Sequence, residues 1–356
     1  MTVAPDVEPE GVEPRHENTV TPLITVAICS YNGASRIGTA LTALNNQVHT
    51  APFEVIVVDD GSTDDTASIA AGAGAKVIRL DRNCGRGQAL REAVQAARGA
   101  YLAMADDDCV PPSGWVQQLA DEWAQAPNSV SVVGGTVTPL AVDTFNRRFI
   151  EFRRPLAAQE LGEDADPGIV ARFRRALLPP AEKSGRRSVL YMAGANMSLR
   201  LSAVRKVGGF DTSIHFGGEE ELLCKLLRAK FGSDTVQLVP EIDMLHDYRP
   251  NLADSLRRSR DYGVAHGKIW LKSGGIPTLS PLPLVVAVIL IPLFAWRRKL
   301  AALALVLLPP VLYRGWLARC RKTSTMEPML YPYVRLIEDV AGDIGFAEGL
   351  CSKPEA

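Results

Sequence analysis

Three carboxylates stand together at Asp106, Asp107 and Asp108, directly after the apolar run Tyr101-Leu-Ala-Met-Ala105 and shortly before Pro111-Pro112. An apolar run that stops at a Pro-bounded turn reads as a buried parallel strand. It puts the carboxylates at the C-terminal edge, where open α/β sheets hold their ligands. Carboxylate oxygens in that position are ligands for a hard cation, and Mg²⁺ in particular is usually held by one or two carboxylates together with substrate phosphates. A solvated acidic turn has the same composition, so the other chemistry-bearing residues have to decide the reading.

Polar groups also close three earlier strand-like runs. Leu23 to Cys29 is β-branched and apolar and ends at Ser30, Tyr31 and Asn32; Phe53 to Val58 ends at Asp59, Asp60 and Gly61. Lys76 to Leu80 leads into Asp81-Arg-Asn-Cys-Gly-Arg-Gly87, which carries Arg86. Each run is followed by a helix-period segment: Ile37 to Leu44, a helix capped by Ser62 to Asp65 and reaching Ala71, and one from Gln88 to Ala97. Strands alternating with short helices predict a doubly wound α/β domain with a mostly parallel sheet. Parallel strands end on one edge, so the groups converge on one crevice although they are far apart in the chain. Any one of them alone is ordinary turn chemistry; four on one edge make a site.

The familiar phosphate loops are missing. Gly85-Arg86-Gly87 is followed by Leu90 where a dinucleotide fingerprint needs a third Gly, and no G-x-x-x-x-G-K-[ST] is present. A divalent ion on the Asp cluster, helped by Arg86, would instead neutralise a diphosphate and favour its departure.

In order and spacing, Ala27-Ile-Cys-Ser-Tyr-Asn32, Val57-Val-Asp-Asp-Gly-Ser-Thr-Asp64, Asn83-x-Gly85, Gly99-x-Tyr101 and Asp106-Asp-Asp108 resemble the family 2 glycosyltransferases of the glycosyltransferase-A fold, over about residues 23 to 266. The resemblance implies a nucleotide-diphosphate-sugar donor whose nucleoside is held near Ser30, Tyr31, Asn32, Asp59 and Asp60. It implies Mn²⁺ or Mg²⁺ on Asp106 and Asp108, with Asp107 as the spacer between them. Tyr191-Met-Ala-Gly194-Ala-Asn196, Val207-Gly-Gly209-Phe210-Asp211 and Phe216-Gly-Gly-Glu-Glu-Glu221 match the family's acceptor half. That match places Gly194, Asn196, Gly209 and Phe210 on the acceptor side. The family's Glu-Asp pair is all Glu here: spacing to Lys225 favours Glu219, the first choice for the catalytic base, and direct reading of the acidic pair keeps Glu220 as the second choice. His246, closing the strand-like run from Val239, matches a family position near the metal or the leaving diphosphate, though a lone His is as often structural. Arg257, Arg258, Arg260, Tyr262 and Gly263 resemble the segment of single-sugar transferases rather than that of processive polymer synthases.

The chain has 356 residues and a net charge of -1, which leaves no basic stripe and excludes the nucleic-acid-binding class. Its six cysteines, without a C-x-x-C pair, fit a reducing compartment, with Cys29 and Cys224 as core residues. Residues 1–21 are expected to be a disordered tail, 22–270 the catalytic domain divided near residue 110 into donor and acceptor halves, 271–322 a membrane-associated hairpin or span, and 323–356 a helical segment and tail. Trp115 to Trp123 is expected to be an amphipathic helix, Val130 to Val133 a strand ending at Gly134-Gly135, and Asn146 to Arg187 an irregular, charge-laced surface. Ile276 to Trp296 is apolar and uncharged, at a length that could span a bilayer, and Leu300 to Leu312 is a shorter apolar run. This composition suggests the inner (plasma) membrane, with the catalytic domain on its cytoplasmic face and a lipid-linked or cell-envelope glycan as acceptor. Two alternatives stand beside the transferase. A catalytically inactive sugar- or partner-binding relative would explain the unusual base motif, and a sugar nucleotidyltransferase shares the fold class but lacks its Gly-rich loop here.

Overall fold

The computed structural model describes residues 23–154, 156–160, 185–273, 279–313 and 326–351. The expected tail and much of the Arg-rich stretch, 161–184, lie outside them. Four parallel strands build the first half: β1 (Ile24–Ser30), β2 (Phe53–Asp59), β3 (Lys76–Arg79) and β4 (Tyr101–Asp106), joined by helices α1 (Ile37–Asn45), α2 (Thr66–Gly72) and α3 (Arg86–Ala96). β1 lies between β2 and β4, with Ser30 opposite Asp59 and Cys29 opposite Asp106. This register brings the three strand ends to one edge.

β1 is apolar on both sides because both of its faces are covered. Ala27 joins a core with Ile56, Leu90 and Met104, whereas Ile24, Val26 and Ile28 join a second core with Val57, Ala103 and Trp115 on the opposite face. The short β5 (Cys109–Val110) and α4 (Trp115–Gln125) follow the acidic edge; the amphipathic pattern of α4 buries Trp115, Leu119 and Trp123.

The second half adds antiparallel strands, so the sheet is mixed. After β6 (Val132–Pro139), α5 (Phe145–Arg153), β7 (Gln159–Glu160), β8 (Arg187–Tyr191), β9 (Met197–Arg200), α6 (Leu201–Lys206), α7 (Glu219–Phe231) and β10 (Val236–His246), the order among the described residues is β3-β2-β1-β4-β9-β6-β10-β8-β7, with β5 paired to β10. β9 runs antiparallel to both β4 and β6. β6 differs from expectation: it continues through Gly134 and Gly135 instead of ending there. The glycines admit close neighbours, since a Cβ on Gly135 would lie 1.6 Å from the Ile242 carbonyl oxygen. α5 also orders the start of a stretch expected to be irregular, because Phe149 and Ile150 find a buried face.

α8 (Leu252–Ser273) runs past the expected boundary at residue 270. It packs along α11 (Tyr331–Cys351), so the C-terminal helix is part of the same body. Tyr331 also meets Phe145, Phe149 and Phe152 of α5. Between them, α9 (Pro281–Trp296) and α10 (Arg298–Leu312) form an apolar hairpin. The start of the expected run, at Ile276, lies outside the described residues; α9 has 16 residues, and no described helix is long and apolar enough to cross a membrane.

Candidate active site

The strand ends become a site through a few tight polar contacts. Ser30 Oγ donates to Asp107 Oδ2 at 2.5 Å, and Arg36 donates to the same carboxylate from Nε at 3.1 Å and Nη2 at 3.0 Å. Asp107 is thereby held inside the protein; burial raises its pKa despite these donors. Asn32 sits at φ 50, a left-handed conformation that Asn tolerates, and locks two loops together. Its N–H donates to Ser62 Oγ, and its Oδ1 accepts from the Thr63 N–H. Asp59 is fully buried, accepts from the Ser62 N–H at 3.0 Å and faces Arg79 at 3.3 Å. Asp60 accepts the Cys84 and Gly85 N–H groups at 2.7 and 2.9 Å, and so shapes the loop that presents Arg86.

Asp106, Asp108, Cys109 and His246 bring one ligating atom each to within 4.8 Å of one another. Two observations test whether a cation fits. Asp108 Oδ1 and both ring nitrogens of His246 are buried without hydrogen-bond partners among the described residues, although Nε2 lies 3.2 Å from that oxygen. Burial, with the Arg258 charge nearby, also pushes His246 down to about 4, so its ring is neutral with a lone pair to offer. Burial and the Asp106 charge push Asp108 up to about 6. For Asp106 burial acts upward too, but Arg86 at 2.8 Å, with His246 and Arg258, holds it below its ordinary value. Two aspartates and a neutral imidazole fit a divalent cation. Cys109 does not: burial raises its pKa far above the ordinary value, and the thiol points to the Ala195 carbonyl at 3.8 Å.

Arg86 links this cluster to α7. Its Nη1 lies 3.2 Å from Glu220 Oε1 while Nη2 holds Asp106. Glu220 reaches it because α7 starts after Gly217 and Gly218, both at positive φ, which turn the chain sharply into the helix. Gly194 faces the same ion pair; a Cβ there would lie 2.1 Å from Glu220 Oε1 and 2.8 Å from Arg86 Nη2. Glu219 points elsewhere, 1% exposed and with no side-chain hydrogen-bond partner among the described residues, and burial followed by the Glu220 charge pushes it up to about 8.

A cleft of about 310 Å³ opens on this edge. Of the residues singled out from sequence, it is lined by Ser30, Tyr31, Asp60, Arg86, Asp106, Asp107 and Asp108. Tyr31 is the most open, at 46% exposure. Asn32, Asp59 and His246 do not line it: Asn32 and Asp59 each bond Ser62, and His246 stands 3.2 Å from Asp108. Two expectations on the acceptor side need correction. Asn196 is fully buried, with its amide spent on Trp115 Nε1 and the Thr136 and Ile242 carbonyls, and Phe210 belongs to the core; Gly209, at φ +79, turns the chain beside it. Cys29 packs against the core and also lines the cleft, and Cys224 is in the core. Sequence reasoning missed Arg36 and His215, gave Asn83 and Phe216 only as motif positions without a role, and did not single out Arg258 from its neighbours, although all five line the cleft. Nothing in the local sequence marks Arg36, which meets Asp107 across 71 positions.

Residues 25–179 match the family model described as Glycosyl transferase family 2. Over 266 residues the chain is 28% identical to pre-mycofactocin glycosyltransferase of Mycobacterium tuberculosis, covering 74% of this chain and 49% of that protein. Over 145 residues it is 30% identical to dolichyl-phosphate beta-glucosyltransferase of Homo sapiens, covering 36% of this chain and 45% of that protein. The chain thus spans about half the length of the curated relatives it matches. Among solved structures, a mannosyltransferase from Pyrobaculum calidifontis in complex with GDP-Man and Mn²⁺ superposes with a TM-score of 0.52 at 19% identity, covering 94% of this chain and 88% of that one. That likeness establishes the fold, a glycosyltransferase-A-like α/β arrangement around a mixed, mostly parallel sheet. With the strand-end motifs in order, the family model matching from β1 onward supports a family 2 glycosyltransferase, the match covering residues 25–179.

Proposed function

We propose that this chain transfers a single sugar from a nucleotide-diphosphate-sugar donor to an acceptor hydroxyl, with inversion at the anomeric carbon and with a divalent cation bound by Asp106, Asp108 and His246. The observation that carries the reading is the Arg86 guanidinium, which ties Asp106 on the cation side to Glu220 on the other. The donor diphosphate belongs beside Asp106 and Asp108, its nucleoside along Tyr31 and Asp60, and the acceptor hydroxyl near Glu220 and Gly194. The cation supplies charge neutralisation to the departing diphosphate. An imidazole among the ligands favours Mn²⁺ over Mg²⁺.

Glu220 is the base in this scheme. It takes the proton of the acceptor hydroxyl as that oxygen bonds to the anomeric carbon; the bond from that carbon to the diphosphate oxygen breaks, and its electron pair leaves with the diphosphate. Attack and departure on opposite faces invert the centre. Arg86 orients Glu220 beside the acidic cluster. Asp107, Ser30 and Arg36 hold the edge rigid, so these groups stay in register.

The test is release of nucleoside diphosphate from a panel of nucleotide-sugars by purified protein with Mn²⁺, and its loss in Asp108→Ala. Binding without release would identify a non-catalytic relative instead; neither binding nor release would sink the donor-site reading.

A lipid-linked acceptor on the cytoplasmic face of the inner membrane completes the proposal. Leu284, Ile291 and Trp296 of α9 are 67, 69 and 76% exposed, and Arg297, Arg298 and Lys299 follow at the turn. An apolar face edged by cations suits an interfacial position on anionic lipid without a span. One relative is a dolichyl-phosphate beta-glucosyltransferase by name, which supports a lipid-linked acceptor. Flotation with anionic vesicles, lost in a Leu284→Glu/Ile291→Glu double variant, checks the placement; flotation unchanged by that variant would count against it.

A further inference from the structure

α11 is built inside out. The residues it exposes, Ile337, Val340, Ile344, Ala347, Leu350 and Cys351, are all apolar, whereas each of its charged side chains is engaged. Arg335 meets Asp339 at 2.7 Å, Glu338 takes Arg153 of α5 at 3.1 Å, and Asp339 accepts from the Tyr313 hydroxyl at the end of α10 at 2.6 Å. Asp343 accepts the Ser280 N–H just before α9 at 2.8 Å, and Glu348 holds Arg260 of α8 at 2.7 Å. A helix bordering water does the reverse: its apolar stripe faces the core, and its carboxylates stay outside, where hydration costs nothing. Buried carboxylates under an apolar outer face mark a helix whose outer face meets something other than water.

The ridge continues onto the hairpin. Ile337, Val340 and Ile344 are 49, 39 and 51% exposed and follow one another at three and four residues, so they share one stripe. Tyr333, one turn earlier on that side, donates to the Val306 carbonyl of α10 at 2.5 Å. From there α10 adds Leu300, Leu303, Leu307 and Val311, each about half exposed, and α9 adds Leu284, Val288 and Ile291. Neither α9 nor α10 contains an acidic residue, and Arg297, Arg298 and Lys299 stand exposed at the turn between them. The charge at the edge of this face is therefore positive. A second copy of the chain fits it poorly. The stripe on α11 runs for about two heptads, short of the three or four that mark a coiled coil, and the flanking Asp343 and Glu348 are already engaged, which leaves no acid to meet the cations of a partner. Anionic lipid supplies both complements, an acyl boundary for the ridge and phosphate for the cations.

We propose that the Ile337–Val340–Ile344 ridge of α11 lies in the interface of an anionic bilayer beside the hairpin, so that the C-terminal helix is a membrane contact in its own right. This assignment rests on the membrane placement of α9 given above and extends it to a face of three helices. On the side of α11 away from the ridge, glycines press against α8: a Cβ on Gly345 would lie 1.9 Å from the Arg260 carbonyl oxygen, and one on Gly349 would lie 2.3 Å from that of Val264. Bilayer, α11 and α8 are stacked in that order. The contact thus holds the helix that lines the cleft through Arg258 at a fixed height above the lipid.

Flotation of the full chain with vesicles of phosphatidylcholine and phosphatidylglycerol tests the assignment. Ile337→Glu/Ile344→Glu should lower the partition coefficient about tenfold or more with the hairpin intact, and Ile337→Leu/Ile344→Leu should leave it within about twofold. Both positions are exposed, so the melting temperature should stay close to wild type; if the Glu variant melts lower, Ile337→Ser/Ile344→Ser carries the same comparison. Flotation lost in Leu284→Glu/Ile291→Glu but unchanged in the α11 variants overturns the assignment and leaves the hairpin placement standing. A wild type that does not float overturns both. A wild type that sediments as a dimer, with α11 variants that sediment as monomers and float equally well, gives the ridge to a second copy and overturns the assignment as well.

Discussion

Arg86 and Glu220 are joined at 3.2 Å from Nη1 to Oε1, while the other terminal nitrogen of the same guanidinium holds Asp106 at 2.8 Å. The Asp106 side and the Glu220 side of the site thus share one rigid, planar group. Removing the Glu220 carboxylate should abolish proton removal yet leave the donor side assembled. Glu220→Gln is expected to lower kcat by about 10² to 10⁴, the range for a lost general base, with donor KM little changed. Glu219→Gln, altering a side chain turned into the interior, should lower kcat far less. Steady-state kinetics on both variants decide it, and equal losses would remove Glu220 from its role.

Gly194 offers an independent check of the same relationship. A methyl group there would intrude on both Glu220 and Arg86, at 2.1 and 2.8 Å. Flexible side-chain ends can move aside, so the fold should tolerate the change while the ion pair cannot keep its geometry. Gly194→Ala should therefore show a melting temperature close to wild type together with a fall in kcat of about 10²-fold, the scale of a small misplacement at a reacting centre. A large fall in melting temperature would instead mark Gly194 as a packing residue.

Cation binding should depend on pH through Asp108. Burial and the neighbouring Asp106 raise it to about 6, so its carboxyl is increasingly protonated as pH falls through that value, and an entering cation must displace the proton. His246, pushed down to about 4, stays neutral over the same range and adds no dependence of its own. Mn²⁺ affinity measured by calorimetry should be nearly level above about pH 7 and fall toward about pH 5, by up to tenfold per unit for one displaced proton. Asp108→Asn should bind Mn²⁺ weakly at every pH and lose the slope.

The parts legible in the sequence are those in which a local pattern determines the local structure. β1 to β4 announce themselves through β-branched apolar runs, and the register then places Ser30, Asp59 and Asp106 on one edge without further information. Asp107 reads as a spacer, but it is the group that Ser30 and Arg36 hold. Its partner Arg36 sits in a helix-approach turn like any surface arginine, and only the folded chain brings the two together. Arg258 stands among Arg257 and Arg260, and the facing of α8 decides which one meets the cleft. That facing depends on α11, more than seventy positions downstream. Asn196 shows the opposite error: a polar residue in a motif-like segment that is consumed by Trp115 and two carbonyls.

Glu219 gives stability a pH dependence of its own. Its folded value is raised to about 8 from an ordinary 4.5, with burial as the main cause and the Glu220 charge second. The native state therefore holds a proton that the unfolded chain has released, and its contribution to stability is fully present below about pH 4.5 and lost as pH rises through about 8. Glu219→Gln keeps the shape of the neutral side chain and cannot ionise. Its melting temperature, relative to wild type, should rise between about pH 5 and about pH 8.5, since only the wild type then carries a buried charge. A difference independent of pH would show that Glu219 is not the titrating group.

Two glycines of α11 separate packing from backbone propensity. A Cβ on Gly345 would stand 1.9 Å from the Arg260 carbonyl oxygen of α8, a backbone atom that cannot swing away. At Gly342 the nearest atom to such a Cβ is the Ser259 carbonyl oxygen at 3.6 Å, an ordinary contact. Ala is favoured over Gly in a helix interior by about 1 kcal/mol, so Gly342→Ala should stabilise the protein by up to about that amount. At Gly345 the same gain is outweighed by an overpacking cost of about 1 to 3 kcal/mol, and the melting temperature should fall. Because α8 also carries Arg258 to the cleft, Gly345→Ala should weaken nucleoside diphosphate binding as well, whereas Gly342→Ala should leave it unchanged. Thermal melts and calorimetry on the two variants separate the effects, and loss of diphosphate binding in both would break the link between α11 packing and the cleft.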